Sequence, residues 1–272
     1  MHTLLRAVHD RRTRFLRAGM LLSATLCSPL AQSASYDFTT LTMPGAINTN
    51  VYGINDNGAI VGSYSASSGT YGFLDNAGNF SSIAVPGAGN SNVVATGINN
   101  SGEIVGSYTN NSGPVMNETF GFSDIAGTFA PISAPLSYGG GTNASGINNH
   151  GDIVGTYATY GISRGDIHGY MLSGNQYSTL TYPNNNPYLY GFQTYAYGIN
   201  DKGTIVGGYS SGGWSGPQHG FINNNGAYST LDAPGATGTL AYGINNKGVI
   251  VGSFTTGGKT SDSSTTVAVI PP

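Results

Sequence analysis

The chain has 272 residues, only 8% of them charged, with 43 glycines, 18 tyrosines and a single cysteine. Beyond residue 33 the only basic side chains are Arg164, Lys202, Lys247 and Lys259 against eleven acids, a net charge of −7. That balance repels nucleic acid and anionic lipid, so neither is an expected partner.

Residues 1–33 read as a signal peptide. Arg6, Arg11, Arg12, Arg14 and Arg17 form a basic start, Ala18 to Leu30 a short apolar run, and Ala31-Gln32-Ser33 a cleavage site of small residues. The run is too short for a membrane span. Arg11-Arg12 hints at a twin-arginine signal, but Phe15 stands one place too late, so general secretion is the expectation. Cys27 follows Leu26, a poor lipidation context, and residues 34–272 then lack thiols and disulfides. The mature part is expected to be extracellular or periplasmic, monomeric and without a membrane span.

From residue 53 a ten-residue pattern, G-I-N-[DN]-x-G-x-I-V-G, occurs five times. It spans Gly53 to Gly62, Gly97 to Gly106, Gly146 to Gly155, Gly198 to Gly207 and Gly243 to Gly252, at start-to-start spacings of 44, 49, 52 and 45. An Asn placed before a Gly between β-branched residues predicts a tight hairpin, with the Gly at positive φ. Consecutive Ile-Val residues predict strands buried on both faces, such as 92–98 and 103–108. A second signature follows in four copies: Tyr71-Gly72-Phe73, Phe120-Gly121-Phe122, His168-Gly169-Tyr170 and His219-Gly220-Phe221. The third is an aromatic residue, an alternating strand and a proline: Phe80 to Pro86, Phe129 to Pro135, Tyr177 to Pro183 and Tyr228 to Pro234.

Four strands in about 45 residues match a propeller blade. A lone fourth strand, Phe38 to Pro44, precedes the first copy, and only a third strand, Thr265 to Ile270, follows the last. The expected fold is all-β: a five-bladed β-propeller over residues 34–272, closed by pairing the N-terminal strand with the C-terminal blade, which leaves no open edge. A linear solenoid or a sandwich is the alternative. With its His-Gly-[FY] triplets, the repeat resembles the bacterial extracellular repeat called HAF, after His-Ala-Phe; Gly replaces Ala here, and Tyr71 and Phe120 replace His. The resemblance implies export and a repeat fold, and carries no activity or functional residue.

No catalytic motif is present, and the eleven acids are spread over all repeats with no pair standing apart as acid and base. An enzyme, of the hydrolase or lyase kind, is the lesser expectation, and no cofactor is expected. The segments at Asn55-Asp56-Asn57-Gly58 and Asn200-Asp201-Lys202-Gly203 are composed like calcium loops, yet other copies read Asn-Asn, and Lys202 and Lys247 stand where ligands would be needed. They are therefore expected to be turns, with no metal. His168 and His219 share a position with plain aromatics, which makes it a packing position.

The G-I-N turns keep one length, whereas the other connections vary and carry Tyr160, Tyr190, Tyr195 and the only tryptophan, Trp214, among Asn, Ser and Gly. Function concentrates on variable loops held by a rigid scaffold, and aromatic faces beside amides and hydroxyls suit a sugar ring. Those four residues are the expected ligand-binding set. The expected function is an extracellular binding module, with polysaccharide as a candidate ligand. The alternative is a structural or adhesive surface protein without a discrete pocket.

Overall fold

The computed structural model describes residues 39–86, 92–110, 118–135, 141–159, 166–183, 193–210 and 218–256, with the backbone of 264–270. By contacts the chain divides into residues 1–42 and a compact body of residues 43–272; the strands all belong to the latter. Among the described residues every regular element is a strand.

Each G-I-N pattern makes the expected hairpin. Repeat one contains β1 (Asn48–Ile54), β2 (Ile60–Ala66), β3 (Gly69–Asn76) and β4 (Asn79–Ile83). Repeat two contains β5 (Val93–Ile98), β6 (Ile104–Asn110), β7 (Glu118–Ile125) and β8 (Thr128–Ile132). Repeat three contains β9 (Thr142–Ile147), β10 (Ile153–Thr159), β11 (Asp166–Ser173) and β12 (Gln176–Leu180). Repeat four contains β13 (Gln193–Ile199), β14 (Thr204–Ser210), β15 (Gln218–Asn224) and β16 (Ala227–Leu231). Repeat five has three strands, β17 (Gly238–Ile244), β18 (Ile250–Thr256) and β19 (Ser264–Ile270). Within each repeat successive strands pair antiparallel, and one parallel pair, Ile167 with Gln193, links repeats three and four into a single sheet.

The turn asparagine has two jobs. Asn148 Oδ1 accepts from the N–H groups of His150 and Asp152 at 3.0 and 2.9 Å, closing its own hairpin. Its Nδ2 donates to the Asn200 carbonyl of the following repeat at 3.2 Å. The same step runs from Asn55 to Asn99, Asn99 to Asn148 and Asn200 to Asn245. Each copy thus fastens its turn to the next one.

The core lies between repeats, not inside them. Val61 and Ile83 of repeat one pack on Val93, Ala95 and Phe122 of repeat two. Val105 and Ile132 pack on Ala144, Ile153 and Tyr170; Val154 and Leu180 on Ala196, Ile205 and Phe221; Val206 on Ala241 and Ile250. Both faces of an inner sheet are therefore covered, as the consecutive Ile-Val pairs require. The matching positions on the end repeats are more exposed: Val251 is 43% exposed where Val61, Val105, Val154 and Val206 are 0%, and Ile54 is 45% exposed.

β19 follows the expected C-terminal strand closely and pairs with β18 from Ile250–Ile270 to Thr256–Ser264. The expected strand at Phe38–Pro44 differs: Thr39–Met43 have no strand, the chain turns at Pro44-Gly45, and Phe38 lies outside the described residues. A strand exists only through a ladder partner, and the sheet of β17, β18 and β19 has three strands.

Burial at the interfaces sets a stability prediction. Ile153 is 5% exposed and contacts repeat two's core, so Ile153→Ala is expected to cost about 2–5 kcal/mol. Lys247, an exposed turn tip using only its backbone N–H on Asn245 Oδ1, should tolerate alanine within about 0.5 kcal/mol. Urea denaturation of both variants checks this, and equal costs would contradict the division into core and turn.

Candidate functional site

Of the four residues expected to bind ligand, Tyr160, Tyr190 and Trp214 lie outside the described residues. Tyr195 lies on β13, where alternation sets it beside Gln193 and Tyr197. Its hydroxyl donates to Gln193 Oε1 at 2.9 Å. Its ring stacks on Tyr197, with centroids 5.8 Å apart and planes within 8°, and Tyr197 meets Tyr242 of β17 at 5.5 Å. Tyr197 stands where the β13–β14 register slips between Ala196 and Gly198, and Tyr242 at the matching slip of β17; such bulges re-aim a side chain. Burial raises the pKa of Tyr195, and burial reinforced by Tyr195 and Tyr242 raises that of Tyr197. These phenols stay neutral, and that of Tyr195 serves as a donor.

A second group lies at the interface of repeats two and three. A cavity of about 180 Å³ is lined by Ala134, Pro135, Tyr157, Tyr170, Tyr177, Ser178 and Thr179. Tyr157 and Thr179 hold each other by a 3.0 Å hydroxyl contact. Tyr177 meets Tyr170 with centroids 5.7 Å apart. Tyr170 is 1% exposed, and its Oη finds no hydrogen-bond partner among the described residues. Burial, with a smaller contribution from Tyr177, drives its pKa far upward. An unmatched buried hydroxyl costs about 1–3 kcal/mol, and phenylalanine does the same packing at Phe73, Phe122 and Phe221.

The corresponding place at the interface of repeats three and four is filled from within. Tyr182, one residue before Pro183 as Ala134 is before Pro135, lies parallel to Tyr209 with centroids 3.7 Å apart and planes within 3°. It meets Tyr228 edge-on at 5.4 Å, and its hydroxyl reaches Thr230 Oγ1 at 2.7 Å. Sequence reasoning overlooked this pocket. Its signal was one residue, Tyr170 in a position that is otherwise Phe.

The two histidines pack as expected: His168 stacks on Tyr157 at 5.4 Å and His219 on Tyr209 at 5.2 Å. Nδ1 of His168 lies 3.2 Å from Thr181 Oγ1, while Nδ1 of His219 lies 2.8 Å from Asp232 Oδ2. The carboxylates in the G-I-N turns are acceptors. Asp201 takes hydrogen bonds from the backbone and side chain of Asn149 and from Asn246 Nδ2. Desolvation pushes its pKa up, but these bonds and the nearby His150 outweigh it, so the carboxyl stays below its ordinary range. Asp56 likewise accepts from Asn100 Nδ2 at 2.8 Å.

No family model matches the chain, and neither does any curated protein. Solved structures with a similar course include a lectin of Aleuria aurantia in complex with alpha-methyl-L-fucoside, at TM-score 0.46 and 12% identity over 82% of this chain and 77% of the lectin. A polysaccharide lyase aligns at TM-score 0.47 and 12% identity over 82% of this chain and 57% of the lyase. A gluconolactonase of Xanthomonas campestris aligns at TM-score 0.41 and 15% identity, covering 82% and 73%. The class to which the sheets assign this protein is an all-β repeat protein of antiparallel sheets. Among the described residues no helix is long and apolar enough to cross a membrane.

Proposed function

We propose that the chain is an exported glycan-binding module of the HAF-repeat kind, freed of residues 1–33 and built as a closed ring of five blades. The observation that carries the binding role is the tyrosine group on β13 and β17. Tyr195, held by its hydroxyl on the buried Gln193 amide, begins a row of rings that runs through Tyr197 to Tyr242, and Tyr242 keeps 48% of its surface exposed. Tyr195 lies near the start of β13, the strand that follows segment 184–192 with Tyr190, while Tyr160 and Trp214 belong to the β10–β11 and β14–β15 connections. A pyranose offers an apolar C–H face to such rings and hydroxyls to their phenols. Affinity per site is expected to be weak, because desolvated hydroxyls must be re-bonded, and several blades acting together supply avidity.

Ring closure has its own support. Met43 N–H donates to Thr49 Oγ1 at 3.0 Å. The residue before proline makes the same bond to the following repeat at Ala134–Thr142, Tyr182–Thr194 and Ala233–Thr239, each at 3.1 Å. The N-terminal segment thus enters repeat one as the end of a preceding blade would, and repeat five is the blade that has three strands.

The binding role is tested by a glycan array probed with residues 34–272, followed by calorimetric titration of the best ligand against the parent and its variants. Tyr195→Ala and Trp214→Ala are each expected to weaken binding at least fivefold. Binding untouched by both would move the site elsewhere, and an array without a hit would leave an adhesive role.

A further inference from the structure

We propose that the tyrosine row takes an acidic saccharide, whose carboxylate or sulfate groups meet Lys202 and Lys247. The inference rests on the glycan reading and names the ligand class of that same site. It starts from a pair of residues that recurs in two adjacent repeats. Tyr197 and Lys202 flank Gly198-Ile199-Asn200-Asp201 in repeat four, and Tyr242 and Lys247 flank Gly243-Ile244-Asn245-Asn246 in repeat five. At the same two positions repeat one has Tyr52 with Asn57, repeat two Thr96 with Ser101, and repeat three Ser145 with His150. The rings of the row and the lysines thus fall on the same two repeats, in a chain with four basic side chains beyond residue 33. In each hairpin the tyrosine stands three residues before the turn asparagine, about 10 Å of extended chain.

The turns hold the two lysines in a fixed relation. The N–H groups of Lys202 and Lys247 donate to Oδ1 of Asn200 and Asn245, each at 3.0 Å. Asn200 Nδ2 donates to the Asn245 carbonyl at 3.2 Å and the Asp201 N–H to Asn246 Oδ1 at 2.8 Å, which fastens one turn to the next at two points. Both lysines are exposed. Among the described residues the one ion pair joins His219 to Asp232, so neither ammonium group has a carboxylate partner there. Asp201, the acid beside Lys202, accepts from the side chains of Asn149 and Asn246 at 2.9 and 2.6 Å. Two lysines against Asp201 leave one positive charge on the turns of repeats four and five, whereas those of repeats one to three carry Asp56, Glu103 and Asp152 and no lysine. That sector therefore draws an anion on a surface that elsewhere repels it. The pull acts within about 8 Å at physiological salt, so a short acidic saccharide gains it, while a long polyanion also meets the three acids. A ring takes the apolar C–H face of the sugar, and the ammonium, a point charge on a flexible stem, takes the acid group.

The test titrates the whole exported chain by calorimetry with three probes: a galacturonate trimer, a sulfated galactose trimer and a neutral galactose trimer. At low salt at least one acidic trimer is expected to bind at least fivefold more tightly than the neutral one, and the tighter of the two names the acid group. The advantage should fade as ionic strength rises from about 0.01 to 0.15 M, where the Debye length falls from about 30 to 8 Å. Joint Lys202→Gln and Lys247→Gln substitution should bring the acidic trimer down to the affinity of the neutral one and leave the latter unchanged. Joint Lys202→Arg and Lys247→Arg substitution should keep the preference. Each lysine serves its turn through its backbone N–H, so all variants should melt like the parent. The proposal is overturned if neither acidic trimer binds better than the neutral one, or if the glutamine pair leaves acidic binding intact. Should the neutral trimer bind best and Tyr195→Ala weaken it, the glycan reading stands and this inference falls. Should no trimer bind, this inference falls and the array alone decides the glycan reading.

Discussion

A Gly106→Ala variant is expected to lose more than about 4 kcal/mol, close to the entire stability of a modest domain. The reason lies in the last glycine of the G-I-N pattern. A Cβ at Gly106 would run into the Val94 carbonyl oxygen on the neighbouring strand and stand 2.8 Å from the Phe122 ring. Phe122 is fully buried and cannot retreat. The carbonyl belongs to β5 just before its bulge, so relief requires the strand to shift, and with it the interface to repeat one. Overpacking of this kind ordinarily costs about 1–3 kcal/mol when side chains can yield; here backbone is struck as well. Gly127→Ala is the matched control. Gly127 sits at φ 85°, and a methyl group added there would meet nothing within 4 Å, so it should cost only the left-handed penalty of about 1–2 kcal/mol. Chemical denaturation of the two variants decides, and equal losses would contradict the packing of β5 on β6.

The same glycine shows how far the sequence could be read. Its repetition five times, always after Ile-Val, marked a hairpin, and the hairpins formed within a residue or two of expectation. The turn glycines were legible because φ alone demands them, as at Gly102 with φ 86°. The reason for the final glycine was not, since the carbonyl it avoids lies on the other strand of a bulged pair. The asparagine was legible as a turn former but not as the tie to the next repeat, because that bond spans 44 to 52 residues. The second hairpin of each unit was also harder to see: Ala77-Gly78 and Ala126-Gly127 both take positive φ, and alanine gives no signal there, whereas Asn225-Gly226 does. The packing of Tyr182 on Tyr209 depends on which residue precedes the proline, Tyr182 or Ala134, and that contrast acquires meaning only when consecutive repeats are known to face each other. Of the expected binding residues, Tyr195 is the one among the described residues.

Val251→Asp is expected to separate a closed ring from an open arc. Its counterparts Val61, Val105, Val154 and Val206 are wholly buried between repeats, while Val251 is 43% exposed and Tyr52 and Ile54 of repeat one are 51% and 45% exposed. Four successive interfaces bury the same positions, so the face of repeat five matches that of repeat one in kind. In a closed ring the aspartate would be an unpaired charge in an apolar seam, a loss of about 3–5 kcal/mol. On an open face it would stay hydrated and cost under about 0.5 kcal/mol. Removal of residues 34–42 supplies the independent arm. If those residues complete repeat five, their loss leaves β19 as a bare edge and should lower the melting point markedly, with aggregation at micromolar protein. If they do not, the shortened protein melts like its parent. Closure therefore requires both large effects together. A tolerated Val251→Asp combined with an unchanged melting point after the deletion would leave an arc of five repeats with two apolar ends, and the bond from Met43 to Thr49 would then be a purely local feature of repeat one.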